Sequence, residues 1–187
     1  MLLAQGDIGP DTPDHYGQRP LHCAATYGHE GVVEMLLGRD DVDPNTPGEH
    51  SQTPLYIAAR NGHKGVVRIL LAQDAIDPDK PDDYDQTPLC VAARKSHLGV
   101  VEMLLGQDDI DPNAADDNGE TPLYWAARNG NERVVEMLLA QDDIDPDKPD
   151  KVGQTPLLLA IEAEYEGVAK ILLGRDDIDP NKADEKG

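Results

Sequence analysis

The chain has 187 residues, of which 39% are hydrophobic and 4% aromatic, and it contains no Phe. A compact globular core of this length normally uses more large rings, so the composition favours thin layers filled by Ala, Val, Ile and Leu. The net charge of −21 excludes direct binding of duplex nucleic acid, which requires a basic stripe to replace counterions. It also disfavours contact with an anionic membrane.

A motif of Pro, Leu and small residues recurs with a fixed period along the chain. The residues that follow one another at intervals of 34 positions include Pro20, Pro54, Pro88, Pro122 and Pro156, and Leu36, Leu70, Leu104, Leu138 and Leu172. Such a period is typical of a stacked array, in which each unit completes its core against its neighbours. We predict one domain over residues 1–187, with repeats at about 15–48, 49–82, 83–116, 117–150 and 151–184.

Both ends of the sequence fall inside this period. The first five residues, Met1 to Gln5, are identical to residues 137–141. We interpret residues 1–14 as the tail of a preceding repeat, rather than as a signal peptide, and residues 185–187 as the start of a further repeat. We therefore expect the chain to be a piece of a longer array, and no stretch of it predicts a membrane span.

Each repeat encodes two short helices and a long loop. In the second repeat, Thr53 can cap a helix and Pro54 suits its first turn, while Gly62 predicts the end of this helix. Apolar residues at helical spacing from Lys64 to Ala72 predict the second helix. The polar stretch that follows, residues 73–85, contains two prolines and cannot continue the helix, because Pro lacks a backbone donor.

The sequence TPLYIAARNGHKGVVRILLA, which covers both predicted helices, resembles the ankyrin repeat. The resemblance extends over essentially the whole chain. It implies an all-α solenoid of stacked antiparallel helix pairs, with β-hairpin-like finger loops on one side. The period is one residue longer than is usual in that family, Arg19 replaces the capping Thr in the first repeat, and Ser96 and Glu164 replace the Gly between the helices. The loop sequence DDIDPDKPD is similar to ankyrin arrays of large fungal multidomain proteins with a nucleotide-binding switch module.

The net charge lies in the loops. The predicted helices contain equal numbers of acidic and basic residues, so the connecting loops and the chain ends carry the whole −21. Two interpretations remain open: the acids serve solubility and local hydrogen bonding, or they create a field that favours basic partners.

The resemblance implies that protein partners bind at the finger tips and at the inner face of the first helix. Carried over position by position, it predicts a partner-binding site that comprises Tyr16, Tyr27, Arg60, Asn61, Tyr84, Arg94, Lys95, Asn118, Arg128 and Asn129. The three arginines share one column of the repeat. They form either a basic ladder for a partner, since Arg often dominates interfaces, or a set of ion pairs that neutralise the acidic loops.

Two other columns have structural interpretations. Trp125 shares a column with Cys23, Ile57, Val91 and Leu159, which favours core packing over a ligand anchor. The histidines His29, His63 and His97 lie one repeat, or about 10 Å, apart. This spacing is too long for shared metal coordination, and we predict a structural role at the helix junction.

The two cysteines, Cys23 and Cys90, lie two repeats apart, or roughly 20 Å in a stack of helices. A disulfide requires Cα atoms closer than about 7 Å, so we predict reduced thiols and an intracellular, cytoplasmic location. Oxygen-bearing side chains from Asp109 to Glu120 are spaced like those of a calcium loop, but Ala114 replaces the Gly of its sharp turn. We predict no metal site and no cofactor.

We find no arrangement of residues that indicates catalysis, because no Ser or Cys is placed beside a His and an acid. The sequence therefore predicts a monomeric, non-catalytic scaffold for a protein partner. Two alternatives are a sensor or regulatory segment of a larger nucleotide-switch protein, and a passive structural spacer.

We expect added NaCl to raise the thermal unfolding midpoint, because salt screens the repulsion between the acidic loops. A melting series from low to moderate NaCl, followed by circular dichroism, measures this effect. A midpoint that fell with salt would contradict the prediction.

Overall fold

The computed structural model describes residues 12–180 and 182. Over these residues the chain forms ten α-helices and no strand. Their bounds are α1 Pro20–Tyr27, α2 Glu30–Leu37, α3 Pro54–Asn61, α4 Lys64–Leu71, α5 Pro88–Arg94, α6 Leu98–Leu105, α7 Pro122–Arg128, α8 Glu132–Leu139, α9 Pro156–Glu162 and α10 Glu166–Leu173. The predicted all-α class is confirmed. The predicted pieces at 1–14 and 185–187 lie largely or wholly outside the described residues.

The helices pair within a repeat and stack between repeats. The first helices α1, α3, α5, α7 and α9 pack in one row, and the second helices α2, α4, α6, α8 and α10 pack in another. The core lies between the two rows, where side chains such as Leu55, Leu70 and Leu104 are fully buried. Each such side chain contributes about 2 kcal/mol when it leaves water. This architecture is the predicted solenoid of helix pairs.

Threonine hydroxyls cap the first helices, as the sequence predicts. Thr53 Oγ1 accepts the backbone N–H of Tyr56 at 3.1 Å, and Thr87, Thr121 and Thr155 repeat this contact. In the first repeat, where Arg19 replaces Thr, the N–H of Arg19 donates to His22 Nδ1 at 3.2 Å instead. Each start of a first helix thus has a local hydrogen bond that fixes where the finger ends.

Histidines join adjacent repeats at the helix junction. His63 Nε2 donates to the carbonyl oxygen of Thr26 at 2.9 Å, and His97 Nε2 donates to that of Arg60 at 3.1 Å. These contacts give the histidine column the predicted structural role. The ring of His97 covers Gly62, where an added Cβ would lie 2.7 Å from Nδ1. Gly62 also has a left-handed backbone, with φ of 73°, so this position requires Gly on two grounds.

Ser96 occupies the same junction in the third repeat without this crowding. Its φ is 60°, so it keeps the left-handed conformation that Gly has elsewhere. The next repeat supplies Asn131 in place of a histidine, and its Nδ2 lies 3.5 Å from the carbonyl oxygen of Ala93. At this junction, Ser96, which has a Cβ, therefore faces Asn131, whose side chain is smaller than the histidine ring at the other junctions.

Aspartates fix four of the finger loops. Asp82 Oδ1 accepts the backbone N–H groups of Tyr84 at 2.9 Å and Gln86 at 3.0 Å. The same pair of hydrogen bonds is made by Asp14, Asp116 and Asp150. Because the N–H of Asp82 also donates to the carbonyl of Gln86, each finger is a closed, hairpin-like turn. Neighbouring fingers are linked as well, since the N–H of Asp117 donates to the carbonyl of Tyr84 at 3.0 Å.

The second finger is different because His22 fills the space of the aspartate. Gly48 replaces Asp there, and an added Cβ would lie 2.8 Å from the His22 ring. The imidazole Nε2 donates to the carbonyl oxygen of Thr46 at 3.1 Å. Without the aspartate, the tip forms a short 3-10 turn in which His50 and Ser51 have φ of 55° and 58°. Such left-handed non-glycine residues cost about 1 kcal/mol or more each.

A second ladder of polar side chains joins the loops that follow the second helices. Asn113 uses both ends of its amide: Nδ2 donates to the carbonyl of Asp143, and Oδ1 accepts the N–H of Asp145, both at 2.8 Å. Asn45 makes the same two contacts one loop earlier. Many acidic loops are therefore held by side chains from the preceding repeat.

Asp79 occupies the same position but completes only half of this pattern. Its Oδ2 accepts the N–H of Asp111 at 2.6 Å, whereas its Oδ1 is buried with no hydrogen-bond partner among the described residues. Burial raises the pKa of Asp79, and the negative charges of Asp111 and Asp77 raise it further, while the hydrogen bond from Asp111 opposes them. Between its ordinary and raised pKa the folded state binds more protons, so this group lowers stability as pH rises.

We expect D79N to stabilise the protein by about 1 kcal/mol at neutral pH, because the amide can donate to the loop carbonyl where the carboxylate cannot. Thermal unfolding of D79N and of D74N measures the effect, since Asp74 is exposed and D74N removes an equal charge. Equal midpoints for the two variants would contradict the prediction.

Candidate functional site

A groove of about 460 Å³ lies between the first helices and the finger loops. Four of the predicted site residues line it together: Arg60, Tyr84, Arg94 and Asn118. We refer to this feature as the inner groove. Another depression, of about 450 Å³, lies between α2 and α4 on the side of the second helices. We concentrate on the inner groove, because it combines guanidinium groups, an exposed aromatic ring and amides, the side-chain types that recognise partners.

Two arginines of the inner groove have neutral partners. Arg60 Nη1 donates to Gln52 Oε1 at 3.0 Å, and Arg94 Nη1 donates to Gln86 Oε1 at 3.3 Å. Within the described part of the chain, neither guanidinium forms an ion pair. Glutamine orients each guanidinium without cancelling its charge. At these two positions the interpretation of ion pairing with the acidic loops therefore does not apply, and the basic ladder stays a prediction.

The third arginine of the column is neutralised. Arg128 Nη1 lies 3.6 Å from Glu120 Oε1, and the Glu120 side chain is only 12% exposed. Burial and the nearby charge of Asp116 raise the pKa of Glu120, while Arg128 lowers it. The alternative interpretation of the column, ion pairing within the domain, thus applies to Arg128.

Trp125 corrects the prediction that it packs in the core. Ile57, Val91 and Leu159 of the same column are buried, whereas Cys23 is exposed and Trp125 is only partly buried. The guanidinium carbons of Arg94 and Arg128 lie 5.1 and 5.4 Å from its ring centre, which is the geometry of cation–π contacts.

The sequence contains a signal for the contact between Arg128 and Trp125, although a comparison of equivalent positions between repeats does not reveal it. Arg128 follows Trp125 by three positions on one helix, which places the two side chains on one face. Arg94 reaches the same ring from the preceding repeat. Trp125 does not line the inner groove itself, but it contacts the groove residue Arg94.

A polar network supports the floor of the inner groove. The Tyr56 hydroxyl donates to Gln86 Oε1 at 3.4 Å, and Gln86 Nε2 donates to Asp116 Oδ2 at 3.0 Å. Tyr56 is 2% exposed, and burial raises its pKa, with a further contribution from Asp82. The network connects two fingers through Gln86. It thereby fixes the position of Gln86, whose side chain orients the Arg94 guanidinium.

The other predicted site residues lie outside the inner groove. Asn61 and Asn129 donate to backbone carbonyls of the preceding repeat, Thr26 at 3.5 Å and Arg94 at 2.9 Å, so they help to join repeats. Lys95, which follows α5, is exposed. Two tyrosines expose more than half of their side-chain surface and contact neighbouring histidine rings, namely Tyr16 and Tyr27.

The described residues offer no group of three or more His, Cys, Asp or Glu side chains that could hold a metal ion. Cys23 is an exposed free thiol and Cys90 a buried one. No helix in the described ranges has the length and apolar character needed to cross a bilayer.

Comparison with known families agrees with this repeat geometry. The profile described as Ankyrin repeats (3 copies) matches residues 40–116 and 109–184, and the profile described as Ankyrin repeat matches residues 16–49. The chain belongs to the ankyrin repeat family. A search of curated proteins gives no match. In this ankyrin array, the inner groove is formed by the first helices of the second and third repeats and by finger residues as far as Asn118 of the fourth repeat.

We expect R94A to shift the fluorescence of Trp125 to longer wavelength and to increase its quenching by acrylamide, because the guanidinium shields one side of the ring. Trp125 is the only tryptophan, so the signal has one source. R60A is the matched control, since Arg60 lies one repeat farther away. An R94A spectrum identical to that of wild type would contradict the described contact.

Proposed function

We propose that this ankyrin array is a non-catalytic scaffold that binds a protein partner in the inner groove. The observation that carries the proposal is the pair Arg60 and Arg94, two guanidinium groups held by glutamines rather than by acids. Ankyrin repeats are in general modules of protein–protein interaction. Arg and Tyr frequently dominate interface energetics, and Tyr84, which is 56% exposed, lies beside these arginines.

The polar contents of the inner groove also support binding rather than catalysis. Cys90, the nearest thiol, is 1% exposed, and its Sγ donates to the carbonyl of Glu120 at 3.7 Å. Burial raises the pKa of the Cys90 thiol, which disfavours the thiolate that a nucleophile requires. Asp82 and Asp116 accept backbone hydrogen bonds in their fingers, so they serve the loop structure.

The array would use the inner groove and the neighbouring finger tips as one surface. A stable complex buries about 1,200–2,000 Å² in total, which exceeds the groove alone. Tyr16, Tyr27, Lys95, Asn118 and Asn129 extend the proposed surface. Two free thiols fit a monomer in the reducing cytoplasm.

Two other functions are compatible with the sequence. A sensor segment of a nucleotide-switch protein would use the same groove on a domain of its own parent chain. A passive spacer does not require two guanidinium groups that form no ion pair beside a groove. The spacer function is therefore less favoured than the sensor function.

We expect the variant R60A/R94A/R128A to lose proteins that the wild-type array captures, because Arg side chains commonly carry interface energy. K64A/R68A/R133A changes the net charge equally on exposed second-helix positions and is the matched control. Quantitative mass spectrometry after affinity capture compares the three proteins, and circular dichroism verifies folding.

Proteins retained by the control but lost by the groove variant would support the inner groove as the binding surface. Purification of such a protein and titration against both variants then measures the loss in affinity. Identical captured sets for wild type and groove variant would overturn the proposal and leave the spacer function.

A further inference from the structure

Three asparagines of the chain are each followed directly by a glycine. These pairs are Asn61-Gly62, Asn118-Gly119 and Asn129-Gly130. A glycine has no side chain that would keep its backbone nitrogen away from the preceding side-chain amide. That nitrogen can therefore attack Cγ of the asparagine, which is the first step of spontaneous deamidation. Because the dipeptide is the same three times, the fold decides which of the three pairs reacts.

The side-chain amide of Asn118 makes no hydrogen bond to the part of the chain that the structure describes, in contrast to the other two. Asn129 Nδ2 donates to the carbonyl oxygen of Arg94 at 2.9 Å, and Asn61 Nδ2 lies 3.5 Å from that of Thr26. A hydrogen bond of this kind holds the amide against rotation toward the glycine that follows. The amide of Asn118 is therefore free to rotate, and that of Asn129 is the most firmly held.

The backbone around Asn118 also opens more easily than the backbone around the other two asparagines. Asn61 is the last residue of α3 and Asn129 directly follows α7, so both lie at helix ends that are joined to the preceding repeat. Asn118 lies in a finger loop, and loops open locally at a lower free-energy cost than packed helices. All three side chains are exposed, so access of solvent does not distinguish them.

The glycine N–H groups do not distinguish the three pairs either. Each donates to the backbone carbonyl three residues earlier, at 2.8 Å for Gly119, 3.1 Å for Gly130 and 3.2 Å for Gly62. This hydrogen bond must open before the nitrogen can attack, in the finger as at the helix ends. The difference in reactivity therefore comes from the side-chain amide and from the surrounding backbone.

We propose that Asn118 is a site of spontaneous deamidation in the folded array. The Gly119 nitrogen forms a bond to Asn118 Cγ, the Cγ–Nδ2 bond breaks, and the side-chain nitrogen leaves as ammonia with the proton of the glycine nitrogen. The product is a cyclic succinimide, which water then opens. Attack of water on the side-chain carbonyl gives Asp, and attack on the main-chain carbonyl gives isoaspartate. No group is oxidised or reduced, and water is the only co-reactant.

The reaction changes both the charge and the backbone at the inner groove. Asn118 lines this groove, and either product places a new carboxylate beside those of Asp116 and Asp117. Isoaspartate also routes the backbone through the former side chain, which displaces the carbonyl that accepts the N–H of Lys151 at 2.8 Å. This inference goes beyond the proposed function and does not rest on it, because it requires only the finger.

The test follows the folded full chain during incubation at physiological temperature in a mildly alkaline buffer made with heavy-oxygen water. Mass spectrometry of proteolytic peptides detects the succinimide by its loss of ammonia, and heavy oxygen marks hydrolysis that took place during the incubation. Electron-transfer fragmentation separates Asp from isoaspartate. Asn61 and Asn129 are controls within the same molecule. The variant N118Q removes the reactive pair, because glutamine closes the larger ring far more slowly.

We expect Asn118 to react about fivefold or more faster than Asn129, because the hydrogen bond that holds the Asn129 amide must first break. Asn61, whose amide contact is longer, should react at an intermediate rate. In urea the three sites should react at similar rates, since the fold no longer distinguishes them. N118Q should abolish the modification in this finger and leave the rates at the other two sites unchanged.

A rate at Asn118 no higher than the rates at Asn61 and Asn129 in the folded chain would overturn the inference. An equal preference for Asn118 in urea would also overturn it, because the local sequence would then cause the difference. Neither result affects the capture experiment with R60A/R94A/R128A, which uses freshly purified protein. Failure of this inference and failure of the proposed function are therefore distinguishable.

Discussion

The close stacking of the first helices is the constraint on which the groove depends. Two adjacent alanines in each of α1, α3, α5 and α7 are buried, among them Ala58, Ala59, Ala92 and Ala93 with no exposed surface. Side chains this small allow helix backbones to approach closely. The approach sets the distance between Arg60 and Arg94, and it brings Arg94 over the ring of Trp125 in the next repeat. A larger residue at these positions would separate the repeats and disperse the site.

Hydrogen bonds between repeats add to the apolar packing that joins neighbouring repeats. Histidines, asparagines and loop amides each reach a carbonyl or N–H of a neighbouring repeat. A backbone group that is buried at such a seam must find a partner, because an unsatisfied one costs about 1–3 kcal/mol. The loop acids largely follow the same rule, since Asp82 and its equivalents hold their own fingers. Local hydrogen bonding therefore accounts for many of the acidic residues in the loops, which the composition shows only as negative charge.

Sequence reasoning could predict features that depend on one repeat at a time. The 34-residue period, the Thr53 cap and the Gly62 stop follow from local rules of helix formation, and the structure confirms them. It could not predict features that depend on the contact between particular repeats. Trp125 looks like a core residue in its column, and only the packing of α5 against α7 shows that Arg94 covers it. The glutamine partners of the arginines have a different cause: Gln86 lies in the same repeat as Arg94 but precedes it by eight positions across a helix start, so helical spacing does not pair them.

The junction between repeats also bears on how an array of this kind can change in length. Gly62 accommodates the imidazole of the following repeat, whereas Ser96 faces the smaller Asn131. A duplication that placed a histidine-bearing repeat after Ser96 would press an imidazole against a Cβ at less than 3 Å, judged from the distance at Gly62. Whole repeats therefore cannot be exchanged freely: a unit can be inserted or removed only where the junction residue and the ring that follows it change together.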